Sequence, residues 1–370
     1  MHMRALGRTG EQVSILGLGG FHLLEIGTGQ VNQILNQYLD EGGNYIETSA
    51  SYGRGESERK IGRAVDNRRR EFLLGTKADE RDRKGAMRTL EQSLHNLWTD
   101  SVDIWFMHAV QTEADAEQLL GPDGALEAAE QAKRQGKIRF VGISGHGQPF
   151  GLLRALQETS FDVLMVPVNF YDRFNFPDVH TRLIPLAEKA GTAVMGMKAL
   201  ADGYLWRSAD IAFRYAWTQP VSTVVAGCNT PEMLNHDVKL ARSYTPMSDQ
   251  ELEDIFANAP EYRDYVCRQC DSCPAGDKLN LKRIFELEGW YDRQMWDGKV
   301  QTPEDYALRM RLGPWFGQQE AAQKTYAAEK LLPFPQADFG HLKNRCPYIQ
   351  DLEKKLRMAH KKLISSWALK

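Results

Sequence analysis

Residues 102–108 read Val-Asp-Ile-Trp-Phe-Met-His. The run is almost wholly apolar, lacks the alternation of a half-solvated strand, and closes on a polar histidine. Such continuity belongs to a strand covered on both faces, as in a parallel sheet. Runs of the same kind flank it along the chain: Val13–Leu18, Asn44–Ile46, Phe72–Leu74, Ile138–Ile143, Val163–Val168, Thr192–Met197 and Ser222–Ala226. Between them, apolar residues recur at helical spacing. Val31, Ile34, Leu35, Tyr38 and Leu39 share one face, as do Met87, Leu90, Leu94 and Leu97. Leu183, Ile184, Ala187 and Ala190 form another such face and precede Gly191, a C-cap residue type. Thr230-Pro231-Glu232 reads as N-cap, first-turn proline and first-turn acid. Eight strand–helix repeats predict an α/β protein, a (β/α)8 TIM barrel, because eight is the number of parallel strands that closes on itself. A doubly wound sheet would need a glycine-rich phosphate loop after its first strand, and Gly17-Leu18-Gly19-Gly20 has the wrong spacing.

The chain has 370 residues, more than the roughly 250 of a typical barrel. The alternation stops near Tyr244–Met247, so the expected division is a barrel over 1–247 and a mostly helical, loop-rich extension over 248–370. Few residues of that extension look like core, although Leu352, Leu356 and Leu363 fall at helical spacing. The net charge of −3 offers no basic excess for nucleic acid. No apolar run approaches the ~20 residues of a membrane span. The start Met-His-Met-Arg turns polar at once, without a secretory apolar region, which predicts a cytoplasmic protein.

In a barrel, chemistry collects at the C-terminal ends of the strands. The second apolar run ends at Glu47 with Tyr52 close behind, the third leads to Lys77 and the fourth to His108. These groups suit carbonyl reduction. A hydride arriving at a carbonyl carbon leaves an alkoxide that needs a proton, and Tyr52 is a candidate acid. A neighbouring Lys77 ammonium is expected to lower the phenol's pKa, with Glu47 orienting the lysine and His108 hydrogen-bonding the carbonyl. Each residue alone reads more readily as structural than as functional; the set of four after three consecutive strands carries the signal.

The same residues carry a family resemblance. Arg4-Ala5-Leu6-Gly7-Arg8-Thr9-Gly10 with Leu16-Gly17-Leu18-Gly19-Gly20 resembles the opening of aldo/keto reductases. Asn44-Tyr45-Ile46-Glu47-Thr48 with Ser51-Tyr52-Gly53, Gly75-Thr76-Lys77, Asp103-Ile104-Trp105-Phe106-Met107-His108 and Gly136-Lys137-Ile138-Arg139 with Val141-Gly142-Ile143-Ser144 resemble later signatures of that family. The resemblance spans about 1–240. One departure is Glu47, where the family carries aspartate.

The resemblance implies NADP(H) or NAD(H) bound across the barrel mouth. It assigns the nicotinamide end to Ser144, Asn169 and Met197, with Lys198 facing the pyrophosphate. The remainder of the nucleotide falls to Gly227, Asn229, Thr230, Met233 and Asp237 around a helix start, where free N–H groups attract phosphate. Asn229 and Met233 stand where NADP-preferring members carry cations, which leaves the choice of nucleotide open. Met197 reads equally as barrel filling. Phe170, Tyr171, Arg173, Tyr204 and Trp206 lie in loops at the mouth and suggest a sugar or an aromatic carbonyl or alcohol as small-molecule substrate. A redox-neutral epimerase or lyase that recycles its nicotinamide, and a non-catalytic nicotinamide sensor, are the competing readings.

Cys267-x2-Cys270-x2-Cys273 matches the first three cysteines of a bacterial ferredoxin run, whose next cysteine precedes proline. Here Cys346-Pro347 is the remote candidate for the fourth. The count closes for one [4Fe–4S] cluster, against a four-cysteine zinc site or ordinary thiols. It resembles the aldo/keto reductase branch with a ferredoxin-like iron–sulfur tail, one of whose two cluster sites is lost. Cys228 reads as a small buried hydrophobe.

Overall fold

The computed structural model describes residues 1–147, 149–201, 205, 208–258, 267, 279–292, 319–331, 339–342, 345–346 and 351–364. Tyr204, Trp206, Cys270 and Cys273 lie outside the described residues. The chain divides into two compact units. The first comprises Met1–Asn169, Phe176–Ala199 and Asp210–Met247, and the second Phe170–Asn175, Leu200–Ala209 and Ser248–Lys370.

The first apolar run does not form one strand. It breaks at Ile15 into β2 (Gln12–Ser14), which pairs antiparallel with β1 (Met3–Ala5), and β3 (Leu16–Gly19), the first strand of the barrel. The hairpin was not legible as such, because its three-residue strands are shorter than any periodicity. It sends Leu6 and Val13 into the apolar cluster that fills the barrel with Tyr45, Leu73, Ile104, Phe106, Val163 and Met165.

The remaining runs are β4 (Tyr45–Glu47), β5 (Leu73–Ala78), β6 (Val102–Met107), β7 (Ile138–Ser144), β8 (Val163–Pro167), β9 (Ala193–Met197) and β10 (Thr223–Ala226). With β3 they close an eight-stranded barrel in the order β10-β3-β4-β5-β6-β7-β8-β9, every barrel pairing parallel. Closure removes both sheet edges and puts every strand's C-terminal end on one rim. At the opposite end Asp103, at the start of β6, accepts from Arg69 Nη2 (2.7 Å), Arg139 Nη1 (2.8 Å) and the Leu74 N–H (2.9 Å). That carboxylate ties β5, β6 and β7 together.

The helices bury the faces that their spacing selects. Helix α1 (Thr28–Asp40) buries Val31, Ile34, Leu35, Tyr38 and Leu39. The helix Arg83–Asn96 buries Leu90 and Leu94, and Leu97 follows as its C-cap. The helix Ile184–Ala190 ends on Gly191 at φ 71°, the left-handed conformation that glycine adopts without a Cβ penalty. The helix Pro231–Arg242 is capped by the Thr230 hydroxyl, which accepts from the Met233 N–H at 3.1 Å.

In the second unit the helices Leu281–Asp292, Gln319–Ala328 and Leu352–Leu363 share a core. Leu281, Ile284, Phe285, Leu287, Tyr326, Phe339, Leu342, Leu352, Leu356 and Leu363 are all buried there. The expectation of few core residues is therefore corrected: the apolar positions are spread over separated helices and do not add up in any single window. Glu288 is buried within this unit between Lys355 (2.5 Å) and Lys362 (3.1 Å). No helix among the described residues is long and apolar enough to cross a membrane.

Candidate active site

The C-terminal rim gathers the four residues singled out for catalysis on three neighbouring strands. Glu47 ends β4, Lys77 is the penultimate residue of β5, and His108 follows β6 directly. Tyr52 arrives on the turn before the helix Glu56–Val65, its N–H bonded to the Ser49 carbonyl at 3.1 Å.

Lys77 is the hub. It is 1% exposed, and its ammonium pairs with the Glu47 carboxylate. It also donates to the Thr48 carbonyl (2.7 Å) and to Tyr52 Oη (3.2 Å). An ammonium has three N–H groups, so this geometry uses all of them. Glu47 thus reaches the lysine despite its extra methylene relative to the family's aspartate. Burial pulls the lysine's pKa well below its usual value. Burial, reinforced by the Asp79 charge, pushes the Tyr52 phenol up. The expected lowering of the tyrosine's pKa is therefore reversed: loss of water opposes the phenolate more than the nearby ammonium favours it. Tyr52 rests as a neutral phenol.

His108 packs edge-to-face against Tyr52, with ring centroids 6.4 Å apart, and Phe21 meets Tyr52 from another side at 5.0 Å. His146 lies 6.0 Å from His108. His108 Nδ1 hydrogen-bonds Asp79 Oδ1 at 2.7 Å. Sequence reasoning passed over Asp79 and His146. A signal existed: they stand two residues beyond Lys77 and Ser144, and at strand ends a step of two returns to the same side.

The residues assigned to the nucleotide lie on the other arc of the rim. Ser144 ends β7 and Met197 ends β9, while Asn169 follows β8 by two residues. Ser144 and Asn169 are buried. Asn169 Nδ2 donates to the Lys198 carbonyl at 2.9 Å, joining the ends of β8 and β9. Lys198 itself sits at φ 56°. Met197 is half-buried and packs on the barrel's interior cluster, so it fills core as well as lining the rim. Gly227 follows β10, and a Cβ there would overlap the His22 imidazole. The Asn229 carbonyl accepts from Gln30 Nε2 at 3.0 Å. Asp237 is buried, accepts from the Cys228 thiol at 3.5 Å and meets His236 Nδ1 at 3.4 Å. Burial pushes the Cys228 thiol well up, so it rests as a thiol.

In the second unit Cys267 and Cys346 are half-buried and pack against the same apolar cluster. Among the described residues no group of three or more His, Cys, Asp or Glu side chains converges as a metal site.

A neutral phenol held by an ammonium at the rim of a closed parallel barrel is the equipment of an oxidoreductase acting on carbonyls. The aldo/keto reductase family model matches residues 15–210, more than half of the sequence, and the chain belongs to that family. It transfers hydride between a nicotinamide cofactor and a carbonyl or alcohol substrate. An uncharacterized oxidoreductase of Bacillus subtilis, YqkF, is 28% identical over 219 residues, covering 55% of this chain and 67% of its own. An aryl-alcohol dehydrogenase of Pestalotiopsis microspora is 27% identical over 346 residues, covering 82% and 87%. A Klebsiella pneumoniae aldo-keto reductase solved with NADPH shares the fold at a TM-score of 0.58 and 21% identity, over 70% of this chain and 96% of its own.

Proposed function

We propose that this protein works as a carbonyl reductase in which Tyr52 is the general acid, Lys77 and Glu47 hold it, and His108 orients the substrate. The observation that carries this reading is the threefold use of the Lys77 ammonium. Because Tyr52 Oη accepts from Lys77, its own O–H is left to point a proton at a substrate oxygen. Burial keeps that proton on the phenol until an alkoxide develops beside it. The ammonium then stabilises the phenolate that remains, and Glu47 neutralises the ammonium in the resting state.

Ser144, Asn169, Met197, Lys198, Gly227, Asn229, Thr230, Met233 and Asp237 are the residues that would hold NADP(H) or NAD(H). The donor set fits: a buried hydroxyl and a buried amide at adjacent strand ends suit a carboxamide, and the α-helix Pro231–Arg242 starts where a phosphate would be received. When bound, the cofactor supplies or takes the hydride. NADP(H) draws support from the Klebsiella relative solved with NADPH, and an aromatic substrate from the aryl-alcohol dehydrogenase.

In the extension, Cys267, Cys270, Cys273 and Cys346 would hold one [4Fe–4S] cluster. Cys267 and Cys346, 79 positions apart in sequence, pack on one apolar cluster, which supports a shared site. A cytoplasmic location completes the reading, since thiolate ligands persist in a reducing compartment.

The test is Tyr52→Phe. Turnover of an aryl aldehyde should fall by about a hundredfold or more while nucleotide affinity, followed by fluorescence quenching, stays nearly intact. Near-normal turnover would assign proton transfer to another residue.

A further inference from the structure

The residue that follows His108 is held in an unusual backbone conformation. Ala109 lies at φ 53°, in the left-handed region that a Cβ makes costly. The turn is anchored on both sides. The His108 N–H donates to the Ala78 carbonyl at 2.9 Å and the Val110 N–H to the Ser144 carbonyl at 2.8 Å, which ties it to β5 and β7. The carbonyls on either side of the Ala109 Cα are taken by Arg81. Its Nη2 donates to the His108 carbonyl at 2.7 Å and to the Ala109 carbonyl at 3.0 Å, which uses both N–H groups of that nitrogen. Its Nη1 donates to the Asp79 carbonyl at 2.8 Å.

The guanidinium is itself braced. Arg81 Nε lies 3.4 Å from Asp115 Oδ1, and the arginine side chain is only 15% exposed. Asp115 belongs to the capping box with Thr112 that opens the helix Glu113–Leu120. One planar cation thus joins the loop after β5, the turn after β6 and the start of the next helix. Asp79 is engaged twice: its carbonyl accepts from Arg81, and its carboxylate meets His108 Nδ1 at 2.7 Å. The same side chain therefore grips the backbone of His108 and the backbone of the residue that contacts its ring. A lysine could not span these carbonyls, since its ammonium donates from a single point. Bonds from a charged donor are also roughly twice as strong as neutral ones.

Resting on the proposed role of His108 in orienting the substrate, we propose that Arg81 is a positioning residue for the reduction: its guanidinium holds the turn at Ala109 in the left-handed conformation and so fixes the His108 imidazole edge-to-face against Tyr52. Without those bonds Ala109 relaxes toward negative φ and carries His108 with it. The substrate carbonyl then meets the Tyr52 proton out of line, which lowers kcat more than it weakens nucleotide binding.

The test is a double-mutant cycle on the full chain with NADPH and 4-nitrobenzaldehyde. Arg81→Met should lower kcat by about tenfold or more while the NADPH dissociation constant, followed by fluorescence quenching, stays within about threefold. Glycine enters the left-handed region without a Cβ penalty. In an Ala109→Gly background the same Arg81→Met change should therefore cost kcat only about threefold or less, a coupling that lost stability alone would not produce. Should Arg81→Met fail to fold, Arg81→Lys carries the same cycle. A kcat within about twofold of wild type, or an equal loss in both backgrounds, would overturn the inference and leave the reductase reading intact. Full turnover in His108→Gln would instead overturn the role of His108 on which the inference rests. Reduction of neither this aldehyde nor any other carbonyl by the wild type would overturn the reductase reading itself.

Discussion

Replacing Lys77 with methionine separates the chemistry of the site from its contribution to stability. The side chain is 1% exposed, and Glu47, its ion-pair partner, is 5% exposed. Lys77→Met removes the ammonium that holds Tyr52 and leaves the Glu47 carboxylate buried without its partner. Breaking one side of a buried pair costs about 3–5 kcal/mol, a large part of the roughly 5–15 kcal/mol that holds a domain folded. Loss of the bond to the Thr48 carbonyl adds to it. The double replacement Glu47→Leu with Lys77→Met removes both charges, and most of that loss should return. Activity should not return, because Tyr52 still lacks its ammonium; both variants should turn over at least about a hundredfold more slowly than the wild type. Unfolding followed through Trp105 and Trp217, both buried in the barrel, reports the stability, and steady-state kcat with NADPH reports the chemistry. Turnover in Lys77→Met within about threefold of wild type would refute the reasoning. So would a double variant that regains turnover together with stability.

Nucleotide preference should be weak, NADPH exceeding NADH by less than about tenfold (~1.4 kcal/mol) in dissociation constant, since Asn229 and Met233 supply no cation for a 2′-phosphate; a ratio near a thousand would point to a cation elsewhere. Anaerobically purified protein should carry about four iron atoms per chain, with Cys346→Ser as damaging as Cys270→Ser and Cys228→Ser without effect. Zinc in place of iron, or iron indifferent to Cys346, would end the single-cluster reading. His22, half-buried beside Gly227, has its pKa pushed from 6.5 down to about 4 by loss of water. Between those values the unfolded chain binds more protons than the folded one, so stability present above about pH 6.5 is lost as pH falls toward 4, by up to about 3 kcal/mol. Urea titrations at pH 7 and 4.5 should show that loss shrinking in His22→Gln.

Most barrel strands were legible because a run such as Val102–Met107 has no polar face to offer water, and only a sheet covered on both sides accommodates it. The α1 face and the Thr230 cap were legible for an equally local reason, spacing in one case and a side-chain acceptor in the other. The break at Ile15 was not, since Val13–Leu18 is apolar throughout; what divides it is the pairing of Gln12–Ser14 with Met3–Ala5. The core of the extension was hidden because Ile284, Tyr326 and Leu356 come from three separated helices and meet only in space.

By itself the sequence determined the (β/α)8 barrel and marked Glu47, Tyr52, Lys77 and His108 as candidates, because strand-end position and residue type are written locally. Only the tertiary structure decided the states of those residues. Closure of the barrel buries Lys77 and half-buries Tyr52 beside it, and loss of water together with the Asp79 charge turns the tyrosine's pKa upward. It also brings Asp79 within 2.7 Å of His108 Nδ1, across 29 positions of sequence. Charge depends on dielectric and on neighbours within a few ångströms, and these are not set until distant segments have packed.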